Sequence, residues 1–145
     1  MPLTSEIRQN LDSIRDYLFG GGFPDPLSNA EQLSYLFYFN LMEYVDQNNA
    51  LIDKQYKSIY DGKWSVKNPL NSKDNSHKIP KKNFKWSIWR SMSGPELVSF
   101  VRDEVFSFHE EIASKGVTNF MAGARLGIDE PVVLNQVISK IDELN

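Results

Sequence analysis

Apolar residues near the start of the chain recur at helical spacing. Ile7, Leu11, Ile14 and Leu18 are separated by four, three and four positions, with charged residues between them. This spacing places the four side chains on one face of an α-helix. Gly20 follows where a helix commonly ends in a left-handed residue, so we predict that the first helix stops there.

The second apolar segment is denser. Ser28 and Glu31 form the pattern of a capping box, which predicts a helix start. Ten of the residues between positions 33 and 45 are apolar, so almost no polar face remains. We therefore predict a central helix covered on several sides, with its pattern continuing towards Ile59 and a break near Asn48.

The pattern of apolar residues in the last third of the chain predicts two further main helices. Ser93 with Glu96 is a second capping box, and an apolar stripe follows it until Gly116, the expected stop. A short element is expected around residues 119–126. The final helix is predicted to begin at Asp129-Glu130-Pro131, because apolar residues from Val133 to Leu144 keep clean helical spacing.

Residues 61–83 show no periodicity and are rich in proline and asparagine, which predicts a long loop. Loops of this length inside a compact domain are usually functional or disordered. The expected fold is therefore all-α: a compact bundle of about four main helices, with a long basic loop between the second and third. Residues 1–145 are expected to form a single helical domain.

Composition excludes several classes of protein. The 145 residues include no cysteine, which rules out a disulfide framework, a thiolate zinc site and a cysteine nucleophile. The charged N-terminus does not resemble a signal peptide, and no apolar run approaches the ~20 residues that cross a bilayer. We expect a cytoplasmic protein.

The charge is unevenly distributed. Residues 54–90 contain ten Lys or Arg residues and two Asp residues, a net charge of +8, whereas the whole chain carries −3. A basic block on an acidic body suggests a polyanionic partner. The alternative is a solvated lysine-rich loop without a partner.

No catalytic grouping is found. The glycines in LFGGGFPDP follow a helix and not a strand, so they are interpreted as a helix stop and connector, with a phosphate site at the second helix as the alternative. Four residues beyond His109 stands Ala113 and not a second histidine, so a metal site is not expected, and His109 is interpreted as a surface or partly buried residue. Asn68-Pro69-Leu70 lacks the second proline and the aromatic residue of the Asn-Pro-Pro-aromatic motif of amino-methyltransferases. We expect no catalytic, cofactor-binding or metal-binding residue in this chain.

Several stretches together resemble the N-terminal helical domain of the modification (M) subunit of type I restriction–modification systems. They are, in order, LDSIRDYLFGGG, DPLSNAEQLSYLFYFNLMEYVD, FKWS, DEVFSF and FMAGARLGIDEPVVLNQVISKIDEL. The resemblance covers nearly the whole chain. It implies a helical domain that precedes the catalytic domain of an adenine-specific DNA methyltransferase and helps to close the enzyme around DNA.

The resemblance also implies partners. S-adenosylmethionine would bind the catalytic domain, which this chain lacks, so no cofactor is expected here. The expected partners are DNA, a specificity (S) subunit, a second M subunit and a restriction subunit, with no membrane. The alternative is a stand-alone protein–protein interaction module without a DNA role. If the ends of the basic loop come together, the expected DNA contacts are Lys63, Lys67, Lys78, Lys81, Lys82, Lys85 and Arg90.

Overall fold

The structure, a computed structural model, describes residues 5–20, 26–65, 78–115 and 121–144, and most of these are helical. Helix α1 (Ser5–Gly20) presents Ile14 and Leu18, both fully buried, to the core, as the apolar spacing predicts. The predicted end of the helix at Gly20 is confirmed, because Gly20 is the last residue of α1. Its predicted left-handed conformation is wrong, because its φ is not positive. Residues 21–22, the other two glycines, lie outside the described residues.

Helix α2 (Pro26–Ile52) begins two residues before the predicted capping box. Ser28 therefore lies inside the first turn and cannot cap the helix. Pro26 explains the earlier start, since proline lacks an N–H that the first turn leaves unsatisfied and its φ is already helical. The helix continues through Asn48 without the expected break and ends at Ile52.

The two halves of α2 differ in burial. Leu33, Leu36 and Phe39 are buried in the first half, and α1 packs against the helix. The second half exposes Leu41 and Tyr44, at 53% and 62% of their surface. The prediction of a helix covered on several sides is therefore correct for the first half and wrong for the second.

The segment predicted as a long loop contains a small antiparallel sheet. Strand β1 (Lys63–Ser65) pairs with β2 (Lys78–Pro80), and Trp64 lies opposite Ile79. A 3-10 turn (Lys81–Phe84) and the short helix α3 (Trp86–Trp89) follow. The all-α prediction is wrong in this detail, because burial of Trp64 at the centre of β1 anchors the strand on the core. Residues 66–77 lie outside the described part of the loop.

Helices α4 (Gly94–Phe100) and α5 (Phe106–Ser114) are joined by a π turn (Val101–Val105). Ser93 occupies the predicted N-cap position, although its side chain makes no capping hydrogen bond. Gly94 adopts a φ of 68°, which favours glycine at this helix start. The predicted stop at Gly116 lies outside the described residues.

Helix α6 (Pro131–Asp142) begins at Pro131, which confirms the sequence prediction. Before it, residues 124–130 form no regular element, and residues 121–123 form a turn. Buried Gln32 of α2 holds this segment: its Nε2 donates to the Arg125 carbonyl at 2.9 Å, and the Gly127 N–H donates to its Oε1 at 2.7 Å. The Gln32 side-chain amide thus satisfies two backbone groups of a segment that forms no helix or strand.

The core joins the sheet to the helices through aromatic rings. The Phe84 ring stacks on Phe108 of α5 with centroids 4.5 Å apart, and Trp64 meets Phe84 edge to face at 5.3 Å. This packing fixes the position of the β1–β2 pair on α5. Among the described helices, none is both long and apolar enough to cross a membrane.

Candidate nucleic-acid interface

We call the lysine-rich residues 54–90 the basic segment. Within it, the β1–β2 pair brings residues 63–65 next to residues 78–80. Ser65 pairs with Lys78, and Lys63 with Pro80, so Lys63 and Lys78 project from the same face of the sheet. They are diagonal neighbours, which lie about 7–8 Å apart in such a ladder and within reach of each other's long side chains. Both side chains are exposed. Two lysines that are 15 positions apart in the sequence therefore lie side by side.

The 3-10 turn adds two further lysines beside this pair. The Lys81 N–H donates to the Gly62 carbonyl at 2.9 Å, which holds the start of the turn against the residue preceding β1. Lys82 follows directly and is exposed. We call Lys63, Lys78, Lys81 and Lys82 the basic surface.

Two of the predicted contact residues have partners within the chain. The Lys85 ammonium lies 5.9 Å from the centroid of the Tyr60 ring, a cation–π contact. Arg90 Nε donates to Asp142 Oδ2 of α6 at 2.6 Å in an ion pair. Arg90 therefore links α3 to α6 and has its charge balanced. Lys67 lies outside the described residues.

The three tryptophans within the basic segment are buried. Trp64 Nε1 donates to Glu111 Oε2 at 2.6 Å, and Trp86 Nε1 donates to Asp142 Oδ1 at 2.7 Å. Trp89 is 1% exposed and meets Trp86 edge to face. The tryptophans alternate with basic residues in the sequence because the chain alternates between core and surface positions there. The buried rings are not accessible for stacking on bases.

Two carboxylates of α2 position the residues that lead into the sheet and α3. Buried Asp46 accepts hydrogen bonds from the Tyr56 hydroxyl at 2.8 Å, the Ser58 hydroxyl at 2.6 Å and the Ile59 N–H at 2.9 Å. Glu43 accepts from both the N–H and the hydroxyl of Ser87. Because these acids serve internal donors, they hold the scaffold on which the basic surface is built.

A cavity of about 330 Å³ lies between β1, the 3-10 turn and the end of α5. Three lysines from these three elements border it: Lys63, Lys81 and Lys115. Lys115 was not among the residues predicted from the sequence. Lys115 lies 25 residues beyond Arg90, outside the lysine-rich part of the sequence, so local charge density did not mark it as a contact residue. The packing of α5 on the sheet brings it to the cavity.

His109 is fully buried, so its interpretation as a surface or partly buried residue is wrong. Its Nδ1 lies 2.9 Å from the Val105 carbonyl, and its Nε2 lies 3.5 Å from the Tyr60 hydroxyl. Burial lowers the pKa of His109 from its ordinary 6.5 to about 4. The imidazole is therefore neutral at physiological pH and shielded from ligands. Within the described ranges, no group of three metal-binding side chains is present.

Comparison of the chain with models of known protein families, with curated proteins and with solved structures found no match. The resemblance to type I modification subunits accordingly stays a prediction from the sequence motifs.

Proposed function

We propose that this chain is a non-catalytic domain that binds duplex DNA through the basic surface. The observation that supports this best is the pairing of β1 with β2, which brings Lys63 beside Lys78 and leads directly into the turn that begins with Lys81 and Lys82. Lysine ammonium groups neutralise phosphates and release counterions, so the affinity is independent of sequence and falls steeply with salt. The three tryptophans are buried, so their rings cannot stack on bases.

The wider setting follows from the resemblance. We propose that the domain is the N-terminal part of a type I M subunit, in which a separate catalytic domain binds S-adenosylmethionine and transfers the methyl group to adenine. Base choice would then belong to the specificity subunit, and a restriction subunit would complete the enzyme. We also infer that the helices form a compact bundle, which the packing of α1 on α2 and of both α1 and α4 on α6 supports.

The DNA proposal is tested by titrating two unrelated duplexes of equal length with the domain. We expect equal affinities for both duplexes at low salt and a steep loss of both as the salt concentration rises. A domain that binds neither duplex at low salt would contradict the proposal.

A second surface supports a role in assembly. In the exposed half of α2, apolar side chains follow helical spacing on the side facing solvent: Leu41, Tyr44, Val45, Leu51 and Ile52. We call these five residues the α2 face. Leu51 and Ile52 are 83% and 84% exposed. Contiguous apolar surface of this kind marks an interaction site more often than a solvated helix.

We propose that the α2 face packs against the same face of a second copy. Between Phe37 and Ile52 the helix carries two charged residues, Glu43 and Asp46, which accept hydrogen bonds from Ser87 and from the residues after α2. Helical spacing places both carboxylates on the side of α2 opposite to the five apolar residues, so the α2 face contains no charged residue that a symmetric contact would bring against its copy. Asn48 occupies the middle of the stripe, where a single polar residue sets the register of paired helices. Complete burial of these five residues would remove on the order of 1,200 Å² from water for two copies, the lower limit of a standard interface.

Sedimentation equilibrium without DNA tests this assembly role. Leu51→Glu should shift the wild-type dimer to monomer, whereas Val132→Glu, at an exposed apolar residue of α6, should not. A wild-type protein that stays monomeric at hundreds of micromolar would contradict self-association. A dimer that does not bind DNA would instead favour the alternative function, a protein–protein interaction module without a DNA role.

A further inference from the structure

We propose that the cavity between β1, the 3-10 turn and α5 is a binding site for a single phosphate group, held by Lys63, Lys81 and Lys115. This inference deepens the proposed function, on which it rests for the source of the phosphate. It assigns a defined position for one anion to part of the basic surface. It also adds Lys115, which directly follows α5, to the interface.

The three lysines converge from separate elements. Lys63 begins β1, Lys81 begins the 3-10 turn, and Lys115 caps the end of α5, yet all three border one cavity of about 330 Å³. A phosphate group with its bridging atoms fits easily into this volume. Cations arranged around a concave site concentrate the field on its centre, in contrast to lysines spread over a convex surface.

The charge of the lining favours an anion. Three lysines and one carboxylate, Glu111, give a net charge of +2. The Glu111 carboxylate already accepts the Trp64 indole N–H at 2.6 Å, so it is turned towards the indole. Ser65 also lines the cavity and supplies a hydroxyl that can donate to a phosphate oxygen.

The apolar part of the lining excludes a nucleobase as the main ligand. Trp64 and Phe108 border the cavity but are 5% and 1% exposed, so neither offers a ring face. A base would lose hydration there without gaining a stacking partner. The cavity therefore provides cations and a hydroxyl, which suit phosphate.

The site is held in place before any ligand arrives. The Lys81 N–H is bonded to the Gly62 carbonyl, and Trp64 is fixed by its hydrogen bond to α5 and by its packing on Phe84. Such preorganisation reduces the ordering cost of binding to that of the lysine side chains themselves.

The test is a titration of the domain with inorganic phosphate at constant ionic strength, followed by NMR through the indole Nε1–H signal of Trp64. We expect a saturable shift of this signal in the wild type. Lys115→Ala should weaken phosphate binding at least tenfold. Lys57→Ala is the matched control, because Lys57 is exposed, lies outside the basic surface and does not line the cavity. It should leave phosphate binding unchanged. A shift that does not saturate, or equal losses in both variants, would overturn the proposal.

Duplex DNA identifies the source of the phosphate. If the site holds a backbone phosphodiester, Lys115→Ala should lower the salt slope of log affinity by ~0.9 equally for duplexes with and without a 5′-phosphate. An effect confined to the phosphorylated duplex would assign the site to a terminal phosphate, and either result supports a phosphate site. Saturable phosphate binding by a domain that does not bind duplex DNA would uphold the cavity as a phosphate site and contradict the DNA proposal alone.

Discussion

Trp64 Nε1 donates to Glu111 Oε2 at 2.6 Å, joining β1 to α5 across 47 residues of sequence. This bond fixes the sheet that carries the basic surface. Glu111→Ala should destabilise the domain by about 1–3 kcal/mol, because it leaves a buried indole N–H without its acceptor. Glu111→Gln retains an acceptor and should cost less. Urea unfolding of both variants, with Glu110→Ala as control, measures the difference. An unchanged midpoint for Glu111→Ala would mean that the bond does not stabilise the fold.

Asp46 organises the residues between α2 and β1. Asp46→Ala should destabilise the protein by about 3 kcal/mol, since three donors lose a charged acceptor. Asp46→Asn keeps the oxygen that the Tyr56 hydroxyl and the Ile59 N–H share, so we expect a smaller loss. Thermal unfolding compares the two variants with Asp53→Ala, which alters an exposed acid in the same region. If all three variants melt alike, Asp46 has no special role.

His109 makes stability depend on pH. Its pKa in the folded state is about 4, below the ordinary 6.5, so between these values the unfolded chain binds the proton more readily. The free energy of unfolding therefore contains a contribution from the neutral His109 imidazole that is fully present above pH 6.5. This contribution decreases by up to about 3 kcal/mol as the pH falls to 4. His109→Phe should remove it. Subtracting the pH profile of His109→Phe from that of the wild type cancels the carboxylates that both proteins share. A flat difference between pH 7 and 4 would refute the assignment.

Gly20 and Gly94 should respond oppositely to alanine. Neither has an atom within 4 Å of the position of an added β-carbon, so backbone conformation alone decides the outcome. Gly94 has a φ of 68°, and Gly94→Ala should destabilise the domain by ~1 kcal/mol. Gly20 ends α1 without a positive φ, and Gly20→Ala should be neutral or stabilise by about 0.5 kcal/mol. Urea denaturation of the pair measures both effects, and a loss at Gly20 would contradict its placement in the helix.

The sequence predicted the elements whose signal is local. The spacing of apolar residues predicted α1 and α6, and Pro131 marked the start of α6 correctly, because a helix start depends on its own first turn. The β1–β2 pair was missed, since strands of three residues are too short to show alternation and their pairing is non-local.

The candidate site was only partly predictable for the same reason. Lysine density indicated the segment, but Lys115 joins the cavity only through the packing of α5 on the sheet. Arg90 looked equivalent to the lysines in the sequence, whereas its ion pair depends on Asp142, 52 residues away. The exposed half of α2 was interpreted as core because apolar density does not distinguish a buried face from an unpartnered one.

The most direct test of the DNA role compares the salt dependence of duplex binding by the wild type and by the triple variant Lys78→Ala, Lys81→Ala, Lys82→Ala. Each lost phosphate contact should reduce the slope of log affinity against log salt by ~0.9, so we expect a slope flatter by about two to three with unchanged sequence preference. The control triple variant changes Arg8, Arg102 and Arg125 to alanine. These three residues are exposed outside the basic surface, and the change removes the same charge. If the lysine variant keeps the wild-type slope, or both variants flatten it equally, the basic surface is not the DNA-binding site.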